Sequence, residues 1–213
     1  MYLSRVEIDI ECRDTMIALA APQRFHGAVE NSFAGERRRR LWRLDRLNGR
    51  LYMLILSEDK PDLNGVVKQF GTGEPPQIKD YGTLLDRVVP GSTWRFRLTA
   101  NPTKSIKNPE DPKGRGSVVA HCTTHFQKQW LLEKAEKQGF SLKDDEFDVM
   151  SSHWLHFEKN GKRTVSMLSV TYEGLLQVTD KDMFCRMLCD GIGRGKAYGL
   201  GMMTVMHTGG RDV

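Results

Sequence analysis

Six histidines and four cysteines carry the clearest chemical potential in this chain, and His26 is the best placed of them to move a proton. An imidazole titrates at about pH 6.5, so it can give or take a proton at neutral pH. His26 follows Arg24 and sits beside Phe25, Val29 and Phe33, an apolar stripe at i, i+4, i+8. On pattern alone two readings stand: a boundary histidine with a satisfied hydrogen bond, or a proton-transfer group at a surface. The others are less favoured. His121 and His125 flank Cys122, but no second ligand pair of matching spacing completes a metal site. His153 and His156 fall on opposite faces of an expected strand. His207 lies near a chain end. Cys12, Cys122, Cys185 and Cys189 show no framework spacing, and the last two, four apart on an expected helix, read as thiols packed like small apolar groups. No metal or cofactor is expected.

The basic residues matter through their placement. Lys and Arg number 32 against 27 acidic residues, a net charge of +5, which is a modest excess. Arg37–Arg40 form a run that reads as a solvated face. Arg95 and Arg97 share the outward face of an expected strand, with Lys104 and Lys107 just beyond. Lys159, Lys162 and Arg163 crowd a hairpin tip. Phosphate contacts need no sequence code, so three such clusters together favour RNA or DNA as a partner. Near the end, Gly191, Gly193, Gly195, Gly199 and Gly201 enclose Arg194 and Lys196. A Walker loop would need glycine where Asp190 stands, and a dinucleotide fingerprint would follow a strand and open a helix, whereas this run does the reverse. A helix cap or a main-chain surface beside a phosphate backbone remains.

These residues must be held by an ordinary globular chain: 213 residues, 39% hydrophobic, enough for one large or two small domains. No apolar run is long enough to span a membrane. The start, MYLSRVEIDIE, alternates like a strand and unlike a signal peptide, so a cytoplasmic, reduced protein is expected. The alternation predicts a strand over 2–10, then the helix of the Phe25 stripe. A hairpin over 38–57 turns at Asn48-Gly49, and residues 71–81 read as a loop. Pro90-Gly91 marks a junction. A strand over 93–99, with Trp94, Phe96 and Leu98 inward, leads to a mobile basic loop over 101–116. A helix carries Phe126, Trp130 and Ala135. A hairpin over 149–172 turns at Asn160-Gly161. A last helix over 179–190 is capped by Thr179 and Asp182 and buries Met183, Phe184, Met187 and Leu188, and a strand over 202–206 closes the chain. The order strand, helix, hairpin, helix, strand occurs twice, which predicts an α+β fold of two tandem ferredoxin-like βαββαβ domains. Residues 1–90 carry the candidate histidine; residues 91–213 carry the basic hairpin and the Gly-rich loop.

MYLSRV, APQRFH followed by RRRLWRL, RFRLTANPTKS, and YEGLLQV with GIGRGKAYGLGMM occur in that order along nearly the full length. In this the chain resembles the CRISPR-associated endoribonuclease of the type I-E system, the CasE subunit of Cascade. The resemblance implies metal-independent cleavage of precursor CRISPR RNA at the base of the repeat stem-loop. The upstream 2′-hydroxyl attacks, leaving a 2′,3′-cyclic phosphate and a 5′-hydroxyl, and the mature guide stays bound within Cascade. It makes His26 the catalytic histidine and assigns RNA contacts to Lys159, Lys162 and Arg163, with Arg95, Arg97 and Lys104 holding the backbone. Arg194, Lys196 and the glycines form the second RNA-facing surface. Partners are the repeat hairpin and the other Cascade subunits, with no membrane. At two positions the sequence departs: Gln23 stands where some members have tyrosine, and Asn31 where some have lysine. Whether His26 acts as acid or base, and which residue assists it, stay open. The alternative is a non-catalytic repeat-RNA-binding scaffold subunit of the same kind of complex.

Overall fold

The structure, a computed structural model, describes residues 1–36, 38–107, 116–159 and 163–208, with Lys159 and Arg163 described through their backbone. Arg37, Lys162 and the second hairpin's expected Asn160-Gly161 turn lie outside the described residues.

The first sheet is built from β1 (Tyr2–Ile8), β2 (Arg40–Leu47), β3 (Arg50–Ser57) and β4 (Gln77–Asp80), in the order β2-β3-β1-β4, all antiparallel. The β2–β3 turn has Asn48 at φ 50 and Gly49 at φ 79, the left-handed pair that a type I′ hairpin turn requires. Two helices, α1 (Arg13–Ala20) and α2 (Gln23–Asn31), stand between β1 and β2, and α3 (Asn64–Phe70) between β3 and β4. The expected first helix is therefore the second of a pair. The expected loop over 71–81 contains β4, which pairs Tyr2–Arg5 of β1 in register with Asp80–Gln77. This strand has only four residues and a weakly apolar face, so alternation could not reveal it. A short α4 (Gly82–Asp86) follows.

The second sheet takes β5 (Thr93–Ala100), β8 (Phe140–Ser141), β9 (Phe147–Lys159), β10 (Arg163–Val178) and β11 (Met203–His207). Its order is β11-β5-β10-β8, with β9 also on β10. With α5 (Thr124–Glu136) and α6 (Lys181–Asp190), this repeats the first half's strand order. The chain thus folds as tandem ferredoxin-like units. The expected basic loop contains β6 (Thr103–Ile106), paired with β7 (Ser117–Ala120).

Two core clusters result. One gathers Phe25, Val29, Trp42, Met53, Ile55 and Phe70; the other gathers Trp94, Phe96, Leu98, Trp130, Tyr172 and Phe184, and extends into the first half through Leu41 and Leu56. The helices correct three expectations. Phe126 is 47% exposed, while Gln127 is fully buried, its amide nitrogen donating to the His121 carbonyl and to Ser152 Oγ, each at 3.0 Å. A polar side chain bonded through its amide nitrogen occupies the inner position, its buried Oε1 making no hydrogen bond, and shifts the buried stripe by one residue. The cap of α6 is Asp180, whose carboxylate accepts from the Met183 amide at 2.9 Å. Thr179 and Asp182 do not form the expected box, and Met183 is exposed while Phe184, Met187 and Leu188 are buried. No helix among the described residues is long and apolar enough to cross a membrane.

Candidate functional site

His26 stands in the first turn of α2, half-buried. The helix is fixed from below by its neighbours: Phe25 is buried with its ring 4.9 Å from Phe70 and 5.8 Å from Trp42, and Val29 is fully buried one turn on. Removing a phenylalanine packed this way costs about 3–5 kcal/mol, so the rotation of α2 about its axis, and with it the direction of His26, is set by the first core. The helix N-terminus carries positive partial charge that favours anions, and Arg24 there is exposed.

The second half reaches this point in two places. Gln23 Nε2 donates to the Glu158 carbonyl of β9 at 2.9 Å. A single 3-10 turn, Lys196–Tyr198, packs against α2, and the Tyr198 ring lies 4.9 Å from Phe157 of β9. The Gly-rich segment therefore lies between the halves. Gly191, Gly193, Gly195, Gly199 and Gly201 all have positive φ. At Gly199 a Cβ would lie 2.9 Å from the Trp42 ring, so both its φ of 79° and this close approach call for glycine. Close packing on β2 is met at two of the five, Gly199 against Trp42 and Gly191 against Leu41. A cavity of 270 Å³ opens beside it, lined among others by Pro22, Phe25, Trp42, His153, Ser169, Thr171 and Tyr198.

The expected RNA-contacting residues separate into three groups and Lys196. Lys159 and Arg163 pair with each other at the outer end of β9 and β10, on the arm that also touches Gln23. Lys196 stands on the 3-10 turn with Arg39 and Asp190 as its charged neighbours; burial, and then the Arg39 guanidinium, push its ammonium below the usual lysine range. Arg194, whose backbone bridges to Asn101, lines a second cavity of 180 Å³ with Lys104 and Lys134. Arg95 and Arg97 form the third group, at a cleft on the seam lined also by Asp45, Glu173 and Met206. Arg97 is half-buried and bound to Glu173 Oε1 at 2.6 Å and Asp45 Oδ1 at 3.3 Å, so its charge is answered within the protein.

In the arginine run, Arg38 and Arg39 are exposed as a solvated face requires, and only Arg40 among its described residues departs from it. Arg40 is buried, bonded to Glu30 Oε2 at 2.9 Å, with its guanidinium 4.2 Å from the centre of the Phe33 ring.

Several residues were not visible from sequence reasoning. Arg43 is buried, 2% exposed at its side chain, and all five of its N–H donors are used: two on Asp45, one on Thr204 Oγ1, and one each on the carbonyls of Arg97 and Met202. It is a polar bolt between the sheets. Trp154, 47% exposed, stacks on His156 at 5.8 Å, and His156 Nδ1 is hydrogen-bonded to Ser166 Oγ at 3.1 Å; only its alternation with His156 hinted at this. Lys134 had no signal, because its neighbours in space come from β6 and the Gly-rich segment. Among the described residues no three His, Cys, Asp or Glu side chains converge as metal ligands.

Known proteins share this layout. The profile of the CRISPR associated protein family matches residues 1–207. The CRISPR-associated endoribonuclease Cse3 of Thermus thermophilus is 29% identical over 96% of this chain and 99% of its own length. The structure of Thermus thermophilus Cse3 bound to an RNA representing a pre-cleavage complex superposes with a TM-score of 0.80 at 25% identity, covering 96% of this chain and 98% of that one. A subunit of a CRISPR RNA-guided surveillance complex in a pre-nicking state shares the fold, with a TM-score of 0.74 at 21% identity over 96% of this chain and 99% of that one.

Proposed function

This chain belongs to the CRISPR-associated protein family, and on that premise we propose that it is an endoribonuclease. It cleaves precursor CRISPR RNA at the base of the repeat stem-loop and keeps the mature guide within a Cascade-type assembly. The observation that carries the reading is the position of His26: a half-buried imidazole at a helix N-terminus, held beside the basic arm of the other half. RNA recognition then divides between the arm, with Lys159, Lys162 and Arg163, and the surface of Lys104, Lys134, Arg194 and Lys196. Arg95 adds a peripheral contact, whereas Arg97 serves the seam. An A-form stem is read mainly by its shape and phosphates, which suits lysines and arginines spread over a wide surface. We assign residues 1–90 to the domain that supplies the reacting group and 91–213 to the domain that grips.

The reaction is a metal-independent transesterification. The 2′-oxygen upstream of the scissile phosphate bonds to phosphorus, the bond to the 5′-oxygen breaks, and the products are a 2′,3′-cyclic phosphate and a 5′-hydroxyl. One proton leaves the 2′-hydroxyl and one reaches the 5′-oxygen; His26 moves one of them. The intramolecular nucleophile is already close to phosphorus, an advantage of proximity over free water. The family setting and four free cysteines support a cytoplasmic location.

The test is cleavage of the host's own repeat RNA in EDTA, with and without a 2′-deoxy nucleotide upstream of the cut. We expect two fragments from the ribose substrate, the upstream one ending in a cyclic phosphate. The deoxy substrate should bind and remain whole. Its cleavage at the normal rate would point to water as nucleophile, and a shifted band without fragments would favour the scaffold-subunit reading.

A further inference from the structure

The arm of β9 and β10 leaves the second sheet at Val170. From Ser169 outward to Arg163, β10 pairs with β9 alone, because β5 ends its pairing at Val170. A two-stranded ribbon is only marginally stable in water by itself, yet this one must present its basic tip in a fixed place if it is to grip a stiff duplex. Leu168 near its base is buried in the second core, and two contacts further out brace it. Phe157 is buried against the Tyr198 ring. One residue further out, the Glu158 carbonyl accepts the hydrogen bond from Gln23. An edge strand turns half of its carbonyls away from its neighbour, and here a helix of the other half supplies a donor to one of them. Gln23 is in the same helical turn as His26, three residues before it.

We propose that Gln23 is a positioning residue that latches the His26 helix to the RNA-gripping arm, fixing across the seam where a bound stem sits relative to the imidazole. The assignment of what the arm grips rests on the endoribonuclease reading above. An amide has no proton to exchange with substrate near neutral pH, and its nitrogen is engaged on Glu158, so its contribution is geometric.

The test uses two full-length variants. Gln23→Met keeps the length, removes the donor and adds no charge beside His26; Gln23→Ala removes the side chain. Amide hydrogen exchange on the RNA-free protein should show faster exchange in both over residues 153–169, with the second core unchanged. At saturating repeat RNA, single-turnover cleavage should slow by about 3- to 10-fold, the equivalent of one hydrogen bond. The pH profile should keep its shape. In a Lys162→Glu background most of that slowing should disappear, because an arm that grips poorly gains little from being well placed; such coupling is what a double-mutant cycle reads. Unchanged exchange in the arm, a changed pH profile, or effects that multiply independently would each overturn the latch. Faster exchange in a protein whose wild type cuts no repeat RNA would uphold the latch and overturn the nuclease reading instead.

Discussion

The two halves repeat one strand order but differ in how far their hairpins extend. In the first half β2 and β3 are eight residues each and pair along their whole length, closed by a two-residue turn, and β3 is covered on its other side by β1. In the second half β9 and β10 run to 13 and 16 residues, and the outer seven positions of β10 have no partner but β9. One hairpin is a wall of the core, the other a wall that continues into an arm. The helices show the reverse emphasis: α2 carries an imidazole beside the seam, while α5 and α6 are chiefly core helices. A duplicated fold can therefore separate duties by lengthening one hairpin and exposing one helix N-terminus, with the sheets otherwise unchanged.

The largest test of this division is His26→Ala. Cleavage in EDTA should fall by about 10²–10⁴-fold while hairpin affinity is retained, since the grip belongs to the other half. An equal fall in affinity and rate would place His26 in the grip and erase the contrast. Next is Arg43→Ala, which leaves buried Asp45 with only its longer contact to Arg97 Nε at 3.3 Å, and the Arg97 and Met202 carbonyls without the Arg43 donor. Removing one partner of a buried ion pair costs about 3–5 kcal/mol, read from urea or thermal unfolding as one cooperative shift. Two separate transitions in the wild type would show that the halves are not joined as the Arg43 bonds suggest. Reversing charge at Lys162 and Arg163 should weaken RNA binding and lower the salt slope by about 1 for each phosphate that is no longer neutralised, with folding intact. An unchanged slope in titrations at several salt concentrations would make the arm tip a solvated turn.

The smallest effect concerns Lys196. Burial and Arg39 hold its pKa below the ordinary value, so in the free protein it loses its proton earlier than an exposed lysine would. A bound phosphate favours the charged form and raises that pKa. Between the two values binding takes up a proton, and affinity falls as pH rises through that interval. Calorimetry in buffers of different ionisation enthalpy should detect this uptake, and Lys196→Met should abolish it.

Much of this was legible locally. Alternation gave β1 and β5, with Trp94, Phe96 and Leu98 buried as read. Asn48-Gly49 gave the first turn, because this pair readily takes the two left-handed positions of a type I′ loop. The Phe25 and Val29 stripe gave the helix that bears His26, and the motif order along the chain gave the family. The elements missed, among them α1, α3, α4, β4 and β6, are short and weakly patterned, so local preference was silent.

Local chemistry fixes which residues are charged, apolar or able to turn, since those properties follow from side chains and from backbone sterics over a few residues. Burial of charge is another matter, because it depends on partners distant in the chain. Arg43 is inside and Arg95 is outside because a guanidinium is buried without large cost only where enough acceptors surround it. Arg43 finds those acceptors on Met202 and Thr204, and nothing near position 43 announces them. Gln23 meets Glu158 across 135 residues in the same way. That hydrogen bond exists only after two separately patterned units have closed on each other.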